Sequence, residues 1–259
     1  METVRFELLG PLQLVSDRDG PRTISAAKIE TLLAVLLIRA NRPVFSEELI
    51  SEIWGEERPR RARAGLHVYV SHLRKMFAHF GVRNAVIVTH PQGYLLAVDE
   101  ALLDTCELRV SHARGRENRM PDPERALVSF SAASRLFRGP VLAGIGKGTI
   151  TTTFVRWAEE MQLECLESIA YCLLRTGRHR ELVGDLTNWV EEHPLHEAFR
   201  EQLMLALHRS GRRAEALRVF QHTRRVLRDE LGLEPGETMR RLQNAILNDS
   251  LDCAVTGQA

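Results

Sequence analysis

The strongest constraint on the fold is a change of hydrophobic period between residues 25 and 98. Three successive segments repeat apolar residues at the i, i+3, i+4 spacing of an amphipathic helix, and two short apolar segments follow around a Pro-Gln-Gly turn. The predicted helices cover 25–40, 46–54 and 60–80, and the predicted strands cover 86–89 and 94–98. Three helices followed by a β-hairpin form a winged helix-turn-helix.

The remaining segments complete a mostly α fold. Loose alternation from Val4 to Val15 and turn residues at 16–21 predict a small antiparallel sheet before the first helix. Residues 104–250 have helical patterns throughout. Their pattern Leu-x-Arg-Thr-Gly-Arg-x-x-Glu at 173–181 returns as Leu-x-Arg-Ser-Gly-Arg-x-x-Glu at 207–215, at the tetratricopeptide period of 34 residues. The second half is therefore predicted to be an all-α, tetratricopeptide-like domain.

A length of 259 residues favours two domains, with one large domain as the alternative. The predicted division is a winged-helix domain at 1–99, a helical domain at 104–250 and a C-terminal tail at 251–259. Ser25 and Ser46 are predicted as the N-caps of the first two helices.

The net charge of +1, from 35 Lys and Arg against 34 Asp and Glu, at first argues against a nucleic-acid-binding protein. The distribution of charge argues the opposite. Residues 58–98 contain seven basic residues and neither Asp nor Glu, and the acidic residues that balance them stand mainly in the second helix and the loop after it. Such an acid-free segment is suited to neutralising phosphates.

The third helix divides this basic segment into two faces. Apolar residues such as Leu66, Val70 and Leu73 predict a buried side, and the opposite side carries cations, a hydroxyl and small apolar groups suited to a major groove. We expect Arg60, Arg61 and Lys75 to contact phosphates. The predicted DNA-binding residues are Arg60, Arg61, Arg63, His67, Val68, Ser71, His72, Arg74, Lys75, His90 and Gln92.

Within that set, four side chains are expected near base edges: His67, Val68, Ser71 and Arg74. His90 and Gln92 occupy the wing tip, where a basic residue would favour insertion into the minor groove. Trp54 and Tyr69 are assigned by their spacing to the core and not to base stacking.

Eight strings of residues carry a resemblance to a known family. The strings in the first half are Leu9-Gly10-Pro11-Leu12, Leu49-Ile50-x-x-Ile53-Trp54-Gly55, Leu66-x-x-Tyr69-Val70-Ser71-x-Leu73-Arg74-Lys75 and Gln92-Gly93-Tyr94-Leu95. Those in the second half are Gly139-Pro140-Val141-Leu142, His193-Pro194-Leu195-x-Glu197, Ala206-Leu207-x-x-x-Gly211-Arg212 and Glu230-Leu231-Gly232-Leu233-Glu234-Pro235-Gly236. Together these strings resemble the Streptomyces antibiotic regulatory protein (SARP) family, and the resemblance spans essentially the whole chain.

The resemblance implies an OmpR-type winged helix joined to a bacterial transcriptional activation domain. It further implies an activator of a secondary-metabolite gene cluster, which binds direct repeats in double-stranded DNA upstream of promoters as a head-to-tail homodimer. Recruitment of RNA polymerase holoenzyme through its sigma subunit is also implied. Glu56, Glu57 and Arg58 stand where OmpR-type domains commonly contact polymerase.

Other classes of function are poorly supported by the residues. His193 and His196 lack a further ligand for a metal, so we predict no enzyme, metal or cofactor. The glycine- and threonine-rich segment 143–153 fails the Walker spacing and is predicted to be a flexible loop. A helical adaptor whose winged domain does not bind DNA remains the alternative function.

The cysteines and the N-terminus indicate a cytoplasmic protein. Cys106, Cys165, Cys172 and Cys253 lack the spacing of a disulfide framework or a zinc site. The N-terminus has no apolar signal core, and no apolar run is long enough to span a membrane.

Overall fold

A computed structural model describes residues 4–16, 18, 20–146 and 148–250. The chain divides into two compact units, one with Met1–Ala113 and Ser131–Cys165, the other with Arg114–Phe130 and Leu166–Ala259. Lys147, Cys253 and the predicted tail at 251–259 lie outside the described residues.

The chain begins with the predicted antiparallel sheet. Strands β1 (Val4–Glu7), β2 (Gln13–Ser16) and β3 (Gly20–Arg22) pair in the order β1-β2-β3. Phe6 faces Leu14 across β1 and β2, and both side chains are buried. The alternation of side chains along a strand therefore directs one apolar face of this sheet into the core.

The three predicted helices follow as α1 (Ala27–Ile38), α2 (Ser46–Trp54) and α3 (Ala62–His79), with the short strand β4 (Val44–Phe45) before α2. The predicted serine caps were wrong, because Ala26 and Phe45 are the N-caps of α1 and α2, and neither helix has a side-chain cap. At α2 a side chain inside the helix bonds to the backbone of the N-cap residue: the N–H of Phe45 donates to Glu48 Oε2 at 3.0 Å.

The wing is the hairpin of β5 (Ala85–His90) and β6 (Gly93–Val98), and β4 pairs with β6 to give the order β4-β6-β5. Gly93 permits this three-stranded arrangement, because a Cβ atom there would lie 1.9 Å from the carbonyl oxygen of Val44. The start of β6 is thus fixed against β4, the strand that directly precedes α2.

Within the described part of the later chain, a 3-10 turn at Glu100–Leu102 is followed by seven helices. They are α4 (Asp104–Asn118), α5 (Pro123–Ser134), α6 (Thr149–Arg175), α7 (His179–Glu192), α8 (Glu197–Arg209), α9 (Arg213–Leu231) and α10 (Glu237–Leu247). Residues 149–153, predicted within a flexible loop, are the first turn of α6.

The 34-residue repeat has matching geometry at its two turns. Gly177 and Gly211 both adopt positive φ, at 75° and 78°, and Thr176 and Ser210 both return a hydroxyl bond to the carbonyl four residues earlier. The ion pairs Arg178–Glu181 and Arg212–Glu215 are also equivalent, with distances of 2.8 and 2.7 Å.

Equivalent turns at a spacing of 34 residues are the local signature of tetratricopeptide-like helix pairs. The predicted fold class, a winged helix-turn-helix with small sheets followed by an all-α helical domain, is confirmed. Among the described helices, none is both long and apolar enough to cross a membrane.

Two family strings contact each other inside the first unit. The N–H of Leu142 donates to the carbonyl of Gly10 at 2.8 Å, and the N–H of Arg138 donates to that of Leu9 at 2.9 Å. A Cβ atom on Gly10 would lie 3.1 Å from Arg138 Cβ. The strings Leu9–Leu12 and Gly139–Leu142 therefore form one joint between the N-terminal sheet and the segment after α5.

Asp104 supports the same joint from the start of α4. Its buried Oδ2 accepts the N–H groups of Leu8 and Leu9 at 2.7 and 2.8 Å, and Arg138 Nη2 lies 3.9 Å away. Burial raises the pKa of this carboxyl to about 6, although the two N–H donors and Arg138 act against the shift.

Candidate nucleic-acid interface

Helix α3 has the two faces that its sequence predicts. Leu66, Val70, Leu73 and Phe77 are buried on one side. Val68 on the other side is 50% exposed, so the outward face of α3 includes an apolar side chain. The exposed side of α3 is therefore a surface of mixed polar and apolar groups.

All the predicted DNA-binding residues lie at or near this surface. His90 is half-buried at the end of β5, and the other predicted residues are exposed. The exposed residues are Arg60, Arg61, Arg63, His67, Val68, Ser71, His72, Arg74, Lys75 and Gln92. Arg60 and Arg61 precede α3, which begins at Ala62 and not at residue 60.

Two of the cations in the basic segment are engaged by one carboxylate of α2. Glu47 Oε1 accepts Arg63 Nη2 at 2.9 Å, and Glu47 Oε2 accepts Arg58 Nη2 at 2.5 Å. The bonds from Arg63 and Arg58 lower the pKa of the fully exposed Glu47 carboxyl. These pairs partly neutralise the surface near the start of α3, a contribution that spacings of 11 and 16 residues did not reveal.

Arg74 connects α3 to the wing. Its Nε and Nη2 atoms donate to the carbonyl of Ile87 at 3.2 and 2.8 Å, and Nη2 also donates to Thr89 Oγ1 at 2.9 Å. A guanidinium that donates three such bonds fixes the distance between a helix and a strand. The side chain expected near base edges is thus held against β5.

A second connection to the wing involves His67, whose Nδ1 is hydrogen-bonded to the hydroxyl of Tyr94. Burial raises the pKa of Tyr94, with the nearby Arg74 acting against the shift. Around this pair, Ser46, Arg63 and the wing turn at 89–93 line a cleft of about 460 Å³. Tyr94 is a functional candidate that sequence reasoning placed only in a family string.

Three predicted phosphate-binding residues differ from Arg63 and Arg74 in their bonding. Arg60, Arg61 and Lys75 are exposed, and none of them forms an ion pair or a side-chain hydrogen bond with any residue in the described part of the chain. Their charges are therefore available to an external anion. This property separates them from Arg63 and Arg74.

The loop between α2 and α3 presents Glu56, Glu57 and Arg58 on the surface, as predicted. Trp54 and Tyr69 beside it are stacked, with ring centroids 5.5 Å apart and planes inclined by 20°. Both rings are half-buried, so the prediction that they belong to the core was only partly right.

Glu52 links α2 to the start of α6. It is 5% exposed, and its carboxylate accepts the N–H of Ile150 at 2.6 Å and that of Thr151 at 3.2 Å. A carboxylate at the N-terminus of a helix satisfies N–H groups that have no partner inside the helix. Sequence reasoning counted Glu52 only among the acidic residues that balance the basic segment.

The glycines before α6 make room for this contact. A Cβ atom on Gly148 would lie 2.2 Å from the Glu52 carboxylate, and one on Gly146 would lie 2.9 Å from the Glu52 carbonyl oxygen. The segment that resembled a phosphate loop therefore accommodates a protein carboxylate.

The histidines and cysteines of the second half have the following partners and surroundings in its described part. His196 Nε2 lies 2.6 Å from Glu167 Oε1, a carboxylate that sequence reasoning did not foresee. No group of three possible metal ligands occurs among the described residues. Burial raises the pKa of Cys165 to about 12 and that of Cys172 to about 11, which favours the protonated thiol of both residues.

Comparison with known families matches both halves of the chain. The family described as "Transcriptional regulatory protein, C terminal" matches residues 24–96, and the "Bacterial transcriptional activator domain" family matches residues 103–247. A winged helix with an exposed cationic face followed by an activator domain defines the class of DNA-binding transcriptional regulators.

Individual relatives identify the family within this class of regulators. The chain is 33% identical to the regulatory protein DnrI of Streptomyces peucetius, covering 94% of this chain and 92% of that protein. It is 31% identical to the transcriptional regulator RedD of Streptomyces coelicolor, covering 94% of this chain and 70% of RedD. The chain belongs to the SARP family of transcriptional regulators.

Longer relatives contain additional sequence. The regulatory protein AfsR of Streptomyces coelicolor is 38% identical over 94% of this chain, which spans only 24% of AfsR. A solved structure of Mycobacterium tuberculosis EmbR, in complex with a low-affinity phosphopeptide, has a TM-score of 0.89 and 32% identity. That match covers 96% of this chain and 66% of the EmbR chain.

Proposed function

We propose that this protein is a sequence-specific activator that places α3 in the major groove of double-stranded DNA. The observation that carries the proposal is the set of exposed, unpaired cations just before α3 and in its second half, namely Arg60, Arg61 and Lys75. Cations without an internal partner release counterions from DNA on binding and do not first break an ion pair.

The base-reading surface is assigned to the exposed centre of that face. Val68, Ser71 and His72 face outward there, and His67 is next to them with its Nδ1 atom directed to Tyr94. An apolar Val68 can contact a thymine methyl group, and Ser71 can donate to or accept from a base edge. Arg63 and Arg74 are assigned instead to positioning α2, α3 and the wing.

The wing and the α2–α3 loop have separate roles in the proposal. His90 and Gln92 approach the sugar-phosphate backbone, because the wing tip has no cation to insert into the minor groove. Glu56, Glu57 and Arg58 contact RNA polymerase holoenzyme at its sigma subunit. Head-to-tail homodimers on direct repeats, a cytoplasmic location near the nucleoid, and control of a secondary-metabolite gene cluster complete the proposal.

Two sequence modules, 1–99 for DNA binding and 104–250 for activation, are proposed to divide these tasks. The joint between Leu9–Leu12 and Gly139–Leu142 and the Glu52 cap connect the winged helix to the early part of the second module. Both connections lie inside the first compact unit.

Footprinting of the full chain on the upstream regions of its neighbouring genes tests the proposal. We expect protection of spaced direct repeats, with two copies of the chain per pair of repeats. Ser71→Ala should change the preference between repeats that differ at one base pair by about 1–3 kcal/mol, with the exposed Arg125→Gln on α5 as a matched control. Protection without any sequence preference would contradict base reading.

The alternative function is a helical adaptor that contacts only proteins. It predicts no protection of any upstream region and no dependence of DNA binding on Arg61 or Lys75. Transcription in vitro with purified holoenzyme tests the proposed polymerase contact separately from DNA binding. Loop variants such as Glu57→Ala should lower transcript yield without changing the footprint.

A further inference from the structure

A cleft in the first compact unit includes none of the residues assigned to DNA among those that line it. It has a volume of about 380 Å³ and is lined by the end of α1, the start of α4 and the first nine residues of α6. Volumes of this size are typical of sites for small organic ligands.

The floor of the cleft is apolar and includes an aromatic pair. Leu37, Leu103 and Ile150 are buried there, and Phe154 lies against Trp157 with ring centroids 5.5 Å apart. Trp157 is half-buried, so part of its ring is accessible to a bound molecule. A flat or cyclic hydrocarbon group fits such a floor.

The rim of the cleft carries three arginines. Arg109 lies over the Trp157 ring at 4.8 Å from its centroid, and Arg39 and Arg42 are exposed at the end of α1. None of the three forms an ion pair with any residue the structure describes, and Glu100 is the single carboxylate among the lining residues. The rim therefore has an excess of positive charge.

The start of α6 does not supply the anion-binding groups. The N–H groups of Ile150 and Thr151 already donate to Glu52, so the arginine side chains carry the attraction. Three unpaired guanidinium groups around an apolar, aromatic floor match a molecule with a cyclic hydrocarbon body and a carboxylate or sulfonate group.

We infer that this cleft binds a small aromatic or alicyclic organic anion. The hydrocarbon body lies on Trp157 and Phe154, and the acidic group is held by Arg109 and Arg39. The cleft is formed by α1 of the winged helix and by α4 and α6, so an occupant contacts the DNA-binding part and the activation part of the chain at once.

Titration calorimetry of the full chain with 8-anilinonaphthalene-1-sulfonate tests the inference. We expect saturable binding of one molecule per chain, and at least tenfold weaker binding of N-phenyl-1-naphthylamine, which has the same rings without the sulfonate. Arg109→Gln and Arg39→Gln should each weaken binding of the sulfonate about tenfold, whereas Arg125→Gln outside the cleft should leave it unchanged.

Two further measurements make the result decisive. Thr153→Trp, at an exposed lining position, should fill the cleft and abolish binding, and circular dichroism spectra should show that every variant is folded. Binding of several probe molecules per chain, equal affinity for the charged and uncharged probes, or no effect of the cleft variants would overturn the inference. Because no step uses DNA, these results are independent of the proposed function.

Discussion

The carboxylate of Glu52 accepts the backbone N–H of Ile150 at 2.6 Å, which joins a helix of the DNA-binding domain to the N-terminus of α6 across 98 positions of sequence. Thr151 adds its own N–H and lies with its hydroxyl 2.9 Å from the same carboxylate. A buried acid with these donors acts as an N-terminal cap supplied by a distant helix. The cap makes the placement of α2 dependent on the segment before α6.

We expect Glu52→Ala to destabilise the first unit by about 2–3 kcal/mol, because two buried N–H groups lose a charged acceptor. Glu52→Gln retains one acceptor oxygen and should cost less. Urea unfolding followed by circular dichroism measures both changes, with the exposed Glu56→Gln as control. Equal stability of Glu52→Ala and the wild type would exclude the capping role.

Substitutions at two glycines test how closely the backbone of Gly148 approaches the Glu52 carboxylate. Gly148→Ala should destabilise the protein by about 1–3 kcal/mol, because its Cβ atom would overlap the Glu52 carboxylate. Gly184→Ala, on an exposed face of α7 with open space around it, should stabilise the protein by up to about 1 kcal/mol. Thermal melts should therefore move in opposite directions, and parallel shifts would show that the contact at Gly148 is not tight.

Asp104 should make stability depend on pH. Its folded pKa of about 6 lies above the ordinary value of 3.8, so the folded state retains the proton over a range in which the unfolded chain has lost it. Stability from this group is fully present below about pH 4 and is lost as the pH rises through about 6, by a total of about 3 kcal/mol.

Asp104→Asn removes that titration while retaining an oxygen for the N–H groups of Leu8 and Leu9. The difference in unfolding free energy between the variant and the wild type should therefore grow in favour of the variant as the pH rises from 4 to 7. A difference that is constant with pH would show that the carboxyl titrates normally in the folded protein.

Arg74→Gln should weaken DNA binding by about 1–2 kcal/mol for every sequence, because it loosens the wing and does not remove a base contact. Hydrogen exchange should become faster at the amides of β5 and β6 in the free variant. Ser71→Ala provides the contrast, because this variant should change the preference between DNA sequences and should not weaken binding to all of them equally. A change of preference with unchanged exchange would return Arg74 to the base-reading set.

Local patterns in the sequence predicted most of the fold. Apolar spacing identified the three helices, the hairpin and the 34-residue repeat, because each depends on neighbours within a few turns. The face of α3 was predictable for the same reason, and Val68 and Lys75 are exposed as expected. The surface proposed to bind DNA therefore lies on the face of α3 that the helical period leaves exposed.

Tertiary partners could not be predicted in this way. Glu47 engages Arg58 and Arg63, and Arg74 donates to Ile87, through contacts that no helical period encodes. Glu52 was counted only among the acids that balance the basic segment, because nothing in α2 reveals a helix end that approaches it from a distant segment. The same limit applies to the arginine-rimmed cleft, whose three helices are far apart in the sequence.

The most direct test of the account is the salt dependence of DNA binding by the full chain, measured on a random-sequence duplex and on a protected repeat. The double variant Arg61→Gln with Lys75→Gln should reduce the slope of log Kd against log salt by about two units, one for each phosphate contact. The control Arg125→Gln should keep the wild-type slope. An unchanged slope in the double variant would contradict the assignment of α3 as the DNA-binding helix.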